Sequence, residues 1–435
     1  MANFRVRTAI SLVLIFGCAD DSSSSISDVQ DVGITDVNST SDAEMIAESD
    51  FALIDAQTVV TPTPNWTLPT ALEEPNIEGV VIQPALALSD TNTLHLAFTV
   101  LDPDRLGIYV QTYDLSSLTP LNMVNLVTEP SGLHNEPDIC ALSGGGAVAV
   151  WSVDTQGEGD SNLQVQFRLV DAMGLPLGNG ATTVETDVVG NHWLGSVGCN
   201  DENGFVIVGS RGDPDGSFGV FAQRYDNLGV AVGQSTTVNA TPAGGQVYPV
   251  VTSISGNDEH RYAVAYEDRS VTSGEPNRVS IRFLDAELMP TTGTFFVSAA
   301  GIDATQPSIS TITPNQVVVT ASLDTERVGV FRIDPQDESS RYTQGSEGRL
   351  NYNTDVVGVG LSPVYTFLKG SGRDVKFALG QYNYAAQTLT ESIIYEGWLP
   401  PYQTALARFE DRAAMAVTER FDADRFKLKV FVFGP

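Results

Sequence analysis

Apolar and polar positions along this chain fall into short runs that repeat. A run ending in a large residue plus Asp recurs at Tyr113-Asp114, Val170-Asp171, Tyr225-Asp226, Leu284-Asp285 and Ile333-Asp334, and in degraded form at Tyr382-Asn383. The steps are 57, 55, 59, 49 and 49 residues, and self-similarity at such a period marks a repeat architecture. Each unit opens with a short segment near a Pro or aromatic residue, as at Gln83-Pro84, Glu136-Pro137, Tyr248-Pro249 and Gln306-Pro307. A second apolar run follows, such as Leu94 to Val100, Ala147 to Val153 or Tyr262 to Tyr266. The third run alternates apolar and polar residues, as in Val165 to Val170 and Val220 to Tyr225, and period 2 is what a strand with two unlike faces requires. The Asp that ends it opens a turn (Asp171 to Gly174, Asp226 to Gly229), where the carboxylate accepts backbone N–H groups and the Gly takes positive φ. A weaker fourth segment, such as Thr182 to Val188 or Thr236 to Asn239, closes the unit.

Four short strands per roughly 50 residues, without helical periodicity, predict an all-β fold in which each unit is one β-propeller blade. The first two strands of a blade are nearly continuous in apolar residues, as expected where neighbouring blades cover both faces. The later strands alternate, as expected at a rim that meets water. First strands near Pro84, Pro137, Trp193, Pro249, Pro307, Val356 and Thr404 make seven blades. Irregularity between Asp337 and Asn353 leaves six or eight open. The last unit has three strands, and Trp66 to Leu72 supplies the fourth, closing the ring without an exposed edge.

Residues 1–17 carry Arg5 and Arg7, then the apolar run Ala9 to Phe16. This is the plan of a secretory signal peptide, too short to span a bilayer. Ile15-Phe16-Gly17-Cys18 resembles the lipobox of bacterial lipoproteins, with Phe16 a less usual occupant of its place. The resemblance implies that Cys18 is lipidated and becomes the mature N-terminus, anchored to a lipid bilayer by two or more acyl chains at about 0.8 kcal/mol per buried CH₂. In such proteins an Asp directly after the Cys favours the inner membrane. Ala19 stands there, so the resemblance implies the outer membrane of a Gram-negative cell envelope. Residues 18–61 contain ten acidic side chains and no Lys or Arg; so little apolar surface cannot offset chain entropy, and the segment reads as a disordered tether. Residues 62–435 form the predicted propeller.

The net charge is −31. Ten of the 54 acidic and two of the 23 basic residues precede Pro62, leaving 44 and 21 on the propeller. Such a surface repels phosphate backbones, which argues against nucleic acid as a partner. It also repels anionic headgroups, so attachment to membrane falls to the lipid alone, and the propeller is expected to be a monomer. Cys140 and Cys199 fall in or just after the first strands of adjacent units. They can pair as a disulfide in an oxidising compartment, or serve as two buried thiols.

No catalytic motif stands out. His95, His134, His192 and His260 sit in different units without HxxH or HExxH spacing, and read as isolated structural residues. No GxSxG elbow, phosphate loop or dinucleotide fingerprint occurs in its proper context, nor does an S-x-D-x-G-x-T-W turn of the sialidase kind. One pattern rises above background. Loops between second and third strands are acidic in most units, as at Asp102 and Asp104, Asp213 to Ser217, Glu267-Asp268, and Asp422 and Asp424, and in a propeller they emerge on one face. Asp213, Asp215 and Ser217 form the best oxygen-ligand candidate for Ca²⁺, though Asp, Gly and Pro are also ordinary turn formers.

Two functions fit. One is a non-enzymatic platform binding an envelope protein or glycan. The other is a polysaccharide-acting hydrolase or lyase using paired carboxylates at the channel mouth, where glycoside hydrolysis needs two such groups about 5 to 10 Å apart.

Overall fold

Twenty-eight short strands, and no helix among the described residues, assemble into seven antiparallel four-stranded sheets. The structure, a computed structural model, describes residues 70–433 except 78, 103, 129–131, 156–162, 185–190, 201–203, 213–216, 242–243, 270–274, 325–326, 348–354, 360–361, 370–375, 385–387, 396–402, 411 and 423–424. Cys18, the tether and Trp66 therefore lie outside it. The innermost strands are Val81–Leu88, Leu133–Ala141, His192–Asn200, Gln246–Ser253, Ala304–Thr313, Val356–Val359 and Thr404–Phe409, beginning at or close to the seven places read from the sequence. Six blades run inner to outer in chain order. The seventh takes its outer strand from the other end of the domain. Thr70 pairs with Val432 and Ala71 with Phe431, and the Leu72 N–H donates to the Val430 carbonyl at 2.9 Å. This is a closed seven-bladed β-propeller.

The core is divided into seven apolar layers, one between each pair of neighbouring blades. Leu94, Leu96 and Phe98 of the first blade pack on Ala405, Ala414 and Leu428 of the seventh. Ala97, between Leu96 and Phe98 on the same strand, turns with Ile108 and Val110 to Ile139, Ala149 and Trp151 of the second. Period 2 thus splits each strand between two interfaces, and both must be apolar. This is why the second strands read as continuous hydrophobic runs.

Burial corrects the expectation for the other strands. All eight residues of the second strand Thr93–Val100 are buried, and six of eight in the third strand Gly107–Asp114. Inner strands differ among themselves, with seven of eight residues buried in Val81–Leu88 and three of ten in Ala304–Thr313. Third strands are still covered by both neighbours. Only outer strands such as Ala231–Thr237 meet water along most of their length.

Every inner strand of the first five blades carries a bulge near its start. Gln83, Glu136, Leu194, Tyr248 and Gln306 have φ between 52° and 55°, and the pairing register slips at each one. Pro84, Pro137, Pro249 and Pro307 follow four of them, and Gly195 the fifth. A left-handed non-glycine residue costs about 1–2 kcal/mol, yet the conformation recurs because it frees a backbone N–H to reach the preceding blade. The Glu136 N–H donates to Gln83 Oε1 at 2.9 Å, Leu194 N–H to Ser152 Oγ at 2.9 Å and Gln306 N–H to Glu267 Oε2 at 3.4 Å. The Gln83 N–H is accepted by Gln403 Oε1 of the seventh blade.

Cys140 and Cys199 form a disulfide between the inner strands of the second and third blades, with Cα atoms 5.6 Å apart. The bond closes a 59-residue separation, for which chain entropy gives about 4 kcal/mol of stabilisation. The double variant Cys140→Ala/Cys199→Ala should fold and lose about 2–4 kcal/mol in urea unfolding. An unchanged midpoint would mean that the blade interface, not the bond, holds these strands.

Candidate functional site at the channel mouth

The second strand of each blade ends where the inner strand begins. The Leu101 N–H donates to Val80, Gly212 to Asn191, Arg269 to Gly245 and Asp324 to Asp303, at 2.8–3.0 Å. The acidic loops that follow the second strands therefore leave the propeller on the face that carries the bulges. Of the calcium candidates, Asp213 and Asp215 lie outside the described residues, and Ser217 is half-buried at the foot of its hairpin. Among the described residues, no three His, Cys, Asp or Glu side chains are grouped to hold a metal.

Below the mouth, two half-buried carboxylates tie blades together. Asp138 Oδ2 accepts from Ser196 Oγ at 2.8 Å and from the Val197 N–H at 2.9 Å, both on the next blade. Its Oδ1 accepts from the Ile139 N–H at 2.8 Å. Asp355 repeats the plan in the sixth blade. Its Oδ2 accepts the Leu406 N–H of the seventh blade at 2.7 Å, and Oδ1 accepts Ser308 Oγ of the fifth at 3.1 Å and the Val356 N–H at 2.9 Å. Burial raises both carboxyls. Asp355 is pushed up to about 6, opposed by its hydrogen bond from Leu406 and reinforced by the charge of Asp138. Two acidic groups thus feel each other across the inner wall, but each already accepts three hydrogen bonds.

Glu136 differs. It is the bulge residue of the second blade and half-buried. Burial alone pushes its carboxyl from 4.5 to about 7. Glu267, at the end of the fourth blade's second strand, is buried, and burial raises it although Arg269 Nε donates to Oε1 at 2.6 Å.

Next to the Glu267–Arg269 pair lies a row of planar side chains spanning the third and fourth blades. Phe218 and Trp193 have ring centroids 5.6 Å apart, Trp193 and Tyr248 6.4 Å, and the Arg269 guanidinium lies 5.8 Å from the Tyr248 ring. The three rings are half-buried.

The histidines are not brought together. His95 Nε2–H donates to the Gly145 carbonyl of the next blade at 2.8 Å, so Nδ1 accepts the Thr112 hydroxyl at 3.0 Å; burial keeps the ring's pKa low. His134 Nδ1 accepts the Trp151 indole N–H at 3.2 Å, and His260 Nδ1 pairs with Thr291 Oγ1 at 2.7 Å. His192 packs edge-on against Phe221. The sequence reading missed Gln83, Glu136, Asp138 and Asp355. The recurring x-Pro at the inner-strand start was the only signal for the first three, and Asp355, in a blade without it, had none. A residue before Pro ordinarily avoids such a bend in favour of extended backbone, so the pattern reads as a plain strand start.

No protein-family model matches the chain. Hyalin of Lytechinus variegatus is 24% identical over 370 residues, which cover 80% of this chain and 62% of that protein; the match thus spans about three fifths of its relative's length. Among solved structures, a polysaccharide lyase of family PL25, an ulvan lyase, superposes with a TM-score of 0.57 at 10% identity, covering 82% of this chain and 95% of its own. A protein of unknown function from Dyadobacter fermentans gives 0.51 at 8% identity, covering 86% and 100%. At such identities the likeness is one of fold.

The raised carboxyl of Glu136 sets a pH dependence. A group whose folded value lies above its unfolded one contributes stability fully present below the unfolded value, here 4.5, and lost as pH rises through about 7. Relative to the native chain, Glu136→Gln should gain stability between about pH 4 and pH 8 and show no difference at the acid end. Urea midpoints of the two chains across this range read it directly. A pH-independent difference would contradict the assigned burial.

Proposed function

We propose that this chain is a lipid-anchored cell-envelope protein whose propeller face is a non-enzymatic binding platform for a protein or glycan. One observation carries the platform reading. The inner-wall carboxylates Asp138 and Asp355 each accept three hydrogen bonds, two of them from hydroxyl or backbone N–H groups of neighbouring blades. Groups so held serve the wall's rigidity, and a general acid or base needs a lone pair or proton open to substrate. The lipobox resemblance at Ile15 to Cys18 and the acidic segment before Pro62 support the envelope anchor. An outer-membrane address follows from Ala19 as part of the same proposal.

A second reading has its own support. Glu136 has no hydrogen bond lowering its carboxyl, and a value near 7 suits proton transfer at neutral pH. A hydrolase or lyase acting on polysaccharide would use it. The ulvan lyase shares the fold, and fold alone transfers no chemistry.

Expression of the full chain in a Gram-negative host with labelled palmitate should label the protein, and Cys18→Ser should abolish the label. An unlabelled native chain sinks the anchor. Cross-linking in intact envelopes should capture a partner, and incubation with mixed envelope polysaccharides should release no new reducing or unsaturated ends. Release that disappears in Glu136→Gln would replace the platform with the enzyme.

A further inference from the structure

The row Phe218, Trp193, Tyr248 and Arg269 has a shape and a charge environment that select a ligand class. Trp193 is tilted 43° from Phe218 and 44° from Tyr248. Rings tilted in this way do not cover one another, so part of each face stays open, in keeping with their half-burial. Flat aromatic faces around a few fixed polar groups are the ordinary lining of a ligand site, and their negative π-clouds attract the C–H edges of a saturated ring. The Trp193 indole N–H is buried without a hydrogen-bond partner, so what the ring offers a ligand is its apolar face.

Charge decides between ligands. Arg269, the cation of the row, is already engaged by Glu267. Glu136 stands at the equivalent bulge one blade before Leu194, and the whole chain carries −31. Uronate or sulfate groups of an acidic polysaccharide would meet repulsion here rather than a waiting guanidinium. A protein partner anchors through side chains entering pockets, and tilted rings spaced at 5.6 and 6.4 Å offer successive faces instead.

We propose that this row is a sugar-binding surface and that its ligand is an uncharged glycan chain, whose rings rest on Trp193 and Tyr248 while the partly exposed Arg269, held in place by buried Glu267, serves its hydroxyl groups. The inference rests on the platform reading of the mouth face and names its ligand class.

The test uses the detergent-solubilised full chain in titration calorimetry. Cellohexaose, laminarihexaose and chitohexaose are the neutral probes, and hexagalacturonate is the acidic one. At least one neutral probe should bind, with hexagalacturonate at least about tenfold weaker. Trp193→Ala should weaken binding about tenfold, the size of one aromatic stacking contact. Tyr248→Leu is the second variant and should have the same effect. Leu194 occupies that bulge in the preceding blade, so the fold tolerates Leu there, and an unchanged melting curve confirms it. Failure of all three neutral probes, preference for hexagalacturonate, or binding that survives both variants overturns the proposal. A captured envelope protein lost in Tyr248→Leu, with no glycan bound, also overturns it but leaves the platform standing. Release of sugar ends by the native chain would instead remove the platform reading itself.

Discussion

The inner strand of a propeller blade is a sheet edge facing the axis, and its unpaired N–H groups must find acceptors. This chain meets the constraint between blades rather than within them. A left-handed bulge at Gln83, Glu136, Leu194 or Gln306 turns one N–H away from its own ladder, and Gln403, Gln83, Ser152 or Glu267 of the preceding blade receives it. A little deeper, Asp138, Ser196 and Asp355 accept the N–H groups of Val197, Val251 and Leu406 from the following blade. The latches run in one direction around the ring. They fix the height and rotation of each blade where the mouth is built, and the apolar layers between blades supply the cohesion.

The same constraint explains why so acidic a chain buries carboxyl groups. Removing charge from water is costly unless hydrogen bonds replace the lost solvation. Asp138 and Asp355 have those bonds; Glu136 does not, and burial alone pushes its carboxyl up to about 7. The mouth therefore combines carboxyl groups tied between blades with one acid, Glu136, that burial raises without such bonds, beside a row of rings whose guanidinium is paired with Glu267. Arginines elsewhere do comparable structural work. Arg168 donates to the Leu126 carbonyl of the first blade and Arg282 to the Val238 carbonyl of the third, each stapling the end of its predecessor's outer segment.

Much of this architecture was legible in the sequence. The Asp after each third strand gave the period, and its carboxylate caps the turn as expected: Asp171 Oδ1 accepts the N–H groups of Met173 and Leu175 at 2.9 Å, and Asp226 repeats the contact with Leu228 and Val230. Turn chemistry is local, so it can be read from neighbours in the chain. Closure by the segment ending at Leu72 was readable because the last unit lacked a strand. The latches were not. They join residues about 50 positions apart, such as Gln83 and Glu136, through a backbone shape that x-Pro ordinarily disfavours. The aromatic row escaped for a similar reason. Trp193, Phe218 and Tyr248 belong to two blades and three strands, and only the pairing of the third blade and its packing on the fourth make them neighbours.

Amide hydrogen exchange at Glu136, resolved by fragment mass spectrometry, tests the latch most directly. With its N–H held by Gln83, this amide should exchange as slowly as the buried second-strand amides of Ala147–Asp154. In Gln83→Met it should exchange at least about tenfold faster, while the second strand stays protected. A Glu136 amide that exchanges at loop rates in the native chain would show that the bulges are not what holds the channel wall together.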